Sequence, residues 1–189
     1  MRLLATLLTC LTCATATVAQ DRPNTILVMD GSGSMWGQIE GEAKISIART
    51  VVGDLLGEIP SDMELGLTVY GHRRKGDCGD IESVVPVGAN TTEAIRSAVN
   101  AIKPKGKTPL SAAVQAAADY INAELGGLGG RPIEIELCPS VVTPDDSQRC
   151  ANELSAAGVE MALSTINFFG NHYPIYEGAG IPVVIGTPI

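Results

Sequence analysis

Four aliphatic residues, Ile26-Leu27-Val28-Met29, run directly into Asp30-Gly31-Ser32-Gly33-Ser34, and this junction constrains the chain more than any other feature. A short apolar run reads as a strand buried on both faces. The glycine-serine turn after it sets one carboxylate and two hydroxyls at alternate positions, so Asp30, Ser32 and Ser34 can converge on one point. Hard oxygen donors gathered in this way suit Mg²⁺, Mn²⁺ or Ca²⁺. The competing reading is a solvated turn, because Asp, Gly and Ser are common turn residues.

The rest of the chain alternates strands and helices. Strands are predicted over residues 25–29, 64–70, 81–85, 133–137, 159–164 and 183–185. Helices are predicted over 42–57, 91–102, 110–124, 147–157 and 172–178. Such alternation implies parallel βαβ units. The expected fold is α/β: a three-layer, Rossmann-like, doubly wound sheet of about six mostly parallel strands with helices on both faces. Ligands of such sheets bind at the carboxyl ends of strands, where the Asp30 turn lies.

Residues 1–20 read as a signal peptide, leaving 21–189 as a single α/β domain. Arg2 is followed by a short apolar stretch, and Thr17 and Ala19 suit cleavage after Ala19 or Gln20. The apolar stretch is too short for a permanent membrane anchor. Thr before Cys10 and Cys13 fits a lipoprotein signal poorly. A periplasmic or secreted location follows, and there disulfides are permitted. Cys138 and Cys150 bracket a loop rich in Pro, Asp and Ser and are expected to bridge, leaving Cys78 over. Three unpaired thiols are the alternative.

A net charge of −8 excludes a nucleic-acid partner, since no contiguous basic run exceeds Arg73-Arg74-Lys75. That run reads as a solvated loop rather than an anion site. Gly106-Lys107-Thr108 lacks the upstream glycine of a phosphate loop, and Gly31-Ser32-Gly33 is followed by Trp36 where a dinucleotide fingerprint needs glycine. Ser34 lacks the Gly-x-Ser-x-Gly frame of a nucleophile. Only His72, expected in a solvent-exposed loop, and His172, near a helix start, are available as bases. A non-enzymatic role is expected. Trp36 reads either as a partner contact beside the turn or as a cover for the core edge.

Three segments carry a resemblance: residues 26–35 (ILVMDGSGSM), 65–72 (LGLTVYGH) and 106–110 (GKTPL). Over residues 24–112 the chain resembles a von Willebrand factor A domain. The resemblance implies a metal-ion-dependent adhesion site in which Asp30, Ser32, Ser34 and Thr108 hold a divalent cation, with an open position for a protein ligand's carboxylate. Thr108 also reads as a helix cap. The family's further aspartate, usually in Thr-Asp-Gly, has no counterpart: the strand expected at 133–137 leads into Cys138-Pro139-Ser140, with Asp145 and Asp146 beyond it. An incomplete, weakened site is therefore expected.

Residues 113–189 carry a different likeness. The segments 118–135 (ADYINAELGGLGGRPIEI), 150–158 (CANELSAAG) and 174–188 (PIYEGAGIPVVIGTP) resemble the first lobe of periplasmic branched-chain amino-acid binding proteins of ABC transporters. That resemblance implies a small amino acid as ligand, held by loop residues such as Asn167 and Thr187, and a bridge between Cys138 and Cys150. The two likenesses meet within residues 111–120, where both families have an alanine-rich helix. A partial substrate-binding lobe is the alternative function.

Overall fold

A computed structural model describes residues 24–60, 62–141, 143–164 and 169–185. The signal-peptide assignment, Asn167 and Thr187 lie outside these described residues. In chain order the elements are β1 (Asn24–Asp30), a 3-10 turn (Gly33–Trp36), β2 (Gln38–Ile39), β3 (Glu42–Ala43), α1 (Lys44–Glu58), β4 (Glu64–Tyr70), β5 (Ile81–Gly88), α2 (Thr92–Ala101), α3 (Leu110–Glu124), α4 (Pro144–Ala157), β6 (Ala162–Ser164), a 3-10 turn (Gly170–His172), α5 (Tyr173–Gly178) and β7 (Val183–Ile185).

The main sheet has the order β1-β4-β5. β1 and β4 run parallel, in register from Asn24↔Glu64 to Asp30↔Tyr70, so both strands end at the same edge. Alternation along β4 sends Leu65, Leu67 and Val69 to one face. There they join Ile45 and Leu56 of α1 and Ile95 and Val99 of α2 in the principal core. α3 contacts β1, β4 and β5 and buries Ala113, Ala117 and Ala118, none of which belongs to that cluster. Its small side chains bring the helix close to the sheet and carry its N-terminus to the strand ends.

Two features correct the expected sheet. β5 is antiparallel to β4. Only the loop of residues 71–80 joins them; a parallel neighbour needs a crossover of about a dozen residues or more, whereas an antiparallel one does not. Secondly, residues 133–137 form no strand. At the start of this segment Asn122 of α3 occupies both backbone groups of Ile133: its Oδ1 accepts from the Ile133 N–H at 2.7 Å, and its Nδ2 donates to the Ile133 carbonyl at 2.8 Å. Among the described residues no further strand joins this sheet. β6 and β7 pair in parallel as a separate two-stranded sheet, covered by α4 and α5 through Ala151, Ala162 and Tyr176. The described architecture is therefore α/β but small and mixed, not six mostly parallel strands.

Cys138 and Cys150 are joined by a disulfide with their Cα atoms 5.6 Å apart, tying the extended segment to α4. Cys78 is free and exposed. α4 begins three residues before the expected start: the Thr143 hydroxyl accepts from the Asp146 N–H, and Pro144 takes the first helical turn, where its missing N–H is not needed. Replacing Asn122 with alanine is expected to lower stability by about 1 kcal/mol, because the half-exposed Ile133 groups turn to water. The urea midpoint and hydrogen exchange at Ile133 report it; unchanged exchange there would remove the amide's role.

Candidate functional site at the ends of the parallel strands

Three backbone segments converge where β1 and β4 end. The Gly31 N–H donates to the Tyr70 carbonyl at 2.8 Å, continuing the ladder one residue past β1. Ser32 then forms an isolated parallel bridge with Gly106, and the Gly33 N–H donates to the Gly106 carbonyl at 3.0 Å. From the third side the Gly71 carbonyl accepts from the Gly106 N–H at 2.6 Å and the Lys105 N–H at 3.3 Å. Gly71 has φ +70°, the left-handed region that suits glycine. A Cβ on Gly106 would stand 2.5 Å from the Arg74 carbonyl oxygen, so this contact is backbone against backbone.

The hydroxyls of the turn meet inside this junction. Thr108 Oγ1 donates to Ser32 Oγ at 2.9 Å, and Ser32 Oγ lies 2.8 Å from Ser34 Oγ. Ser32 has no exposed surface. Thr108 donates to Ser32, and the Ser32 and Ser34 hydroxyls share one further hydrogen bond, so the three oxygens form a connected chain. Asp30 Oδ1 accepts from the Ser32 N–H at 2.6 Å, which fixes the carboxylate against the turn. The buried Tyr70 phenol also bonds to Asp30. Burial first, and then the Asp30 charge and this hydrogen bond, raise the phenol's pKa well above its ordinary value.

The structure thus brings together Asp30, Ser32, Ser34 and Thr108, residues up to 78 positions apart in the chain. Thr108 does not cap α3; Pro109 precedes the helix, and the Thr108 hydroxyl points to Ser32. One carboxylate and three hydroxyl oxygens form a hard donor set of the kind Mg²⁺ accepts alongside water. Among the described residues, no group of three or more His, Cys, Asp or Glu could hold a metal ion. Asp145 and Asp146 belong to a different element. Both lie in the first turn of α4, where Asp146 accepts from the Val141 N–H and from Arg149.

Sequence reasoning did not anticipate Tyr70 or Asp80. The register Asp30↔Tyr70 follows once the two strands are known to be parallel. Asp80 gives no local signal. It is fully buried, and its carboxylate accepts from the N–H groups of Arg73 at 2.7 Å and Arg74 at 2.8 Å and from Arg73 Nε at 2.7 Å. Burial pushes its pKa up, but the Arg74 N–H, the Arg73 guanidinium and the Arg73 N–H outweigh it, holding the carboxyl at about 2. The loop of residues 71–80 is folded around this group.

Both histidines are withdrawn from solvent. His72, expected to be solvent-exposed, is only 15% exposed, and its Nε2 pairs with Glu82 at 3.0 Å. His172 is buried in the 3-10 turn, its ring centroid 4.0 Å from that of Tyr173. Trp36 is 57% exposed, and its Nε1 donates to the Pro104 carbonyl at 2.9 Å, so it stands outside the core beside the site.

A parallel strand pair ending in a glycine-serine turn, closed by a threonine loop that precedes an alanine-rich helix, defines the class: an α/β domain with an oxygen-lined site at its strand ends. A family model for the von Willebrand factor type A domain matches residues 25–129, and the chain belongs to that family. The match continues through α3, past the boundary at residue 112 expected from the sequence. It gives no support to the amino-acid-binding likeness of residues 113–189.

Among curated proteins, the "Uncharacterized protein YwmD" of Bacillus subtilis strain 168 is 30% identical over 98 residues, covering 48% of this chain and 44% of its own length. The "Uncharacterized protein YwmC" of the same strain is 26% identical over 110 residues, covering 54% of this chain and 48% of its own. The chain thus spans less than half the length of either relative. Among solved structures, the SpRpn10 VWA domain aligns with TM-score 0.45 and 11% identity, covering 89% of this chain and 90% of that one. The PilB minor pilin from Streptococcus sanguinis aligns with TM-score 0.46 and 13% identity, covering 89% and 57%.

Proposed function

We propose that this chain is an exported, non-enzymatic protein-binding module whose contact point is a divalent cation at the Asp30 turn. The observation that carries the reading is the meeting of three hydroxyls beside the Asp30 carboxylate, with Ser32 Oγ 2.9 Å from Thr108 Oγ1 and 2.8 Å from Ser34 Oγ. Three neutral oxygens and one carboxylate would hold Mg²⁺ or Mn²⁺, and the bound ion would supply a positive point for a partner's carboxylate. Asp30 would carry the charge, oriented by the Ser32 N–H and the Tyr70 phenol, while the hydroxyls would turn their lone pairs from one another to the ion. With a single carboxylate, affinity falls toward the weak end of oxygen-ligand sites, about 10⁻³ M.

Calorimetric titration with Mg²⁺ and Mn²⁺ tests this. The parent chain is expected to give saturable heat that Asp30→Ala abolishes and Thr108→Ala weakens. Equal heats from parent and Asp30→Ala, or none from the parent, would sink the metal reading.

A further inference from the structure

The turn is flanked by an array of cations that no ion pair neutralises. Every described arginine is engaged: Arg49 with backbone carbonyls, and Arg73, Arg74, Arg96, Arg131 and Arg149 with carboxylates. Among the described residues no lysine forms an ion pair, and Lys75, Lys103, Lys105 and Lys107 all belong to the two loops that meet at Gly71 and Gly106. In a chain with 21 acidic and 13 basic residues, this grouping does not arise from a shortage of carboxylates.

The segment of residues 103–107 has a strand's alternation. Pro104 is buried and Gly106 is seated against Gly71, while Lys103, Lys105 and Lys107 are exposed. Lys103, Lys105 and Lys107 therefore share the solvent side of this segment. The segment is held from two sides, by Lys105 N–H to the Gly31 carbonyl at 3.1 Å and Trp36 Nε1 to the Pro104 carbonyl on one, and by Gly106 N–H to the Gly71 carbonyl at 2.6 Å on the other. Its lysines are thus a rigidly based comb one strand away from Ser32.

We infer that Lys103, Lys105 and Lys107 form a docking edge for an extended acidic segment of a protein partner, with Asp or Glu at alternate positions. Such a segment presents its carboxylates along one side, toward the three ammonium groups. The exposed Trp36 ring at Pro104 offers apolar contact beside it, which a protein side chain uses. Carboxylates of the adjoining loop and strands already have partners: Asp77 with Arg74, Asp80 with Arg73, Glu82 with Arg73 and His72, and Asp30 with the Ser32 N–H. The net charge of −8 opposes a long phosphate backbone and leaves a short acidic peptide the better match. The inference rests on the reading above only in taking the partner to be a protein.

The test is fluorescence anisotropy of the full chain with a labelled peptide of alternating Glu and Ser, in Mg²⁺ and in EDTA. Titrations are run at about 50 mM and about 500 mM NaCl, the latter to screen exposed charge pairs. Lys103→Gln/Lys105→Gln/Lys107→Gln is expected to weaken binding about tenfold at low salt, as three exposed charge pairs together predict. High salt should remove most of that difference, and Lys105→Glu alone should weaken binding more than Lys105→Gln. The ratio of parent to triple-variant affinity decides this inference, and the difference between Mg²⁺ and EDTA decides the metal reading. A ratio near one in both buffers, no binding by the parent, or tighter binding of a single-stranded oligonucleotide of equal charge would overturn the docking edge.

Discussion

Asp80→Ala is expected to destabilise the chain by about 3 kcal/mol, the largest effect of any single polar truncation here. The carboxylate has no exposed surface and accepts from two backbone N–H groups and one guanidinium N–H. Alanine leaves the Arg73 and Arg74 N–H groups inside the loop without an acceptor, and each such group costs about 1–3 kcal/mol. Arg73 is itself 37% exposed and recovers part of its loss in water and at Glu82, which keeps the total near the lower end for a broken buried pair.

The pH dependence has a definite sign. The folded carboxyl sits at about 2, below its ordinary 3.8, so the native state favours the charged form. Its contribution is present in full above the ordinary value and is lost as pH falls through about 2. Denaturant midpoints of parent and variant should therefore differ most above pH 4 and approach one another toward pH 2. A gap constant down to that pH would show that the carboxylate's charge contributes nothing.

Loss of Asp80 should reach the site as well, although the residue touches neither Asp30 nor Thr108. The Asp80 carbonyl accepts from the Gly71 N–H at 2.8 Å, and the Gly71 carbonyl in turn holds Gly106 and Lys105. Loosening the loop of residues 71–80 frees the segment that presents both Thr108 and the lysine comb. Weaker Mg²⁺ heat in Asp80→Ala under conditions where it remains folded would report that coupling.

What the sequence disclosed divides along physical lines. Local pattern was enough for β1, an unbroken apolar run, for β4, where Leu65, Leu67 and Val69 alternate, and for α3, an alanine-rich stretch. The convergence of Asp30, Ser32 and Ser34 was equally local, a matter of alternate positions in one turn. Thr108 was reachable only through the family likeness, since no spacing within the chain links it to Ser32. The direction of β5 does not show in its own residues, yet the short connection at 71–80 already disfavoured a crossover.

The strand expected at 133–137 has the right alternation and still does not form. A single amide side chain, Asn122, takes both backbone groups of Ile133 at the start of the segment, and the segment's own alternation carries no sign of such a competitor. The lysine comb was hidden for a related reason. Lys103, Lys105 and Lys107 read as scattered charges until Pro104 and Gly106 are seen to face inward.

Gly71→Ala is expected to destabilise by about 2–5 kcal/mol, from two separable causes. A non-glycine residue at φ +70° carries about 1–3 kcal/mol of backbone strain. The added methyl would also stand 3.0 Å from Ser32 Cα and press against the Lys107 carbonyl oxygen, and overpacking of this kind costs about 1–3 kcal/mol. Gly126 separates the two terms, because it has φ +74° but nothing within 4 Å of its would-be Cβ. Gly126→Ala then measures strain alone, and the excess of Gly71→Ala over it measures crowding against Ser32. Crowding moves Ser32 relative to Thr108, so Gly71→Ala should lose Mg²⁺ heat while Gly126→Ala keeps it. Equal destabilisation of the two variants with equal Mg²⁺ heats would mean that the three loops do not pack as tightly as their hydrogen bonds require.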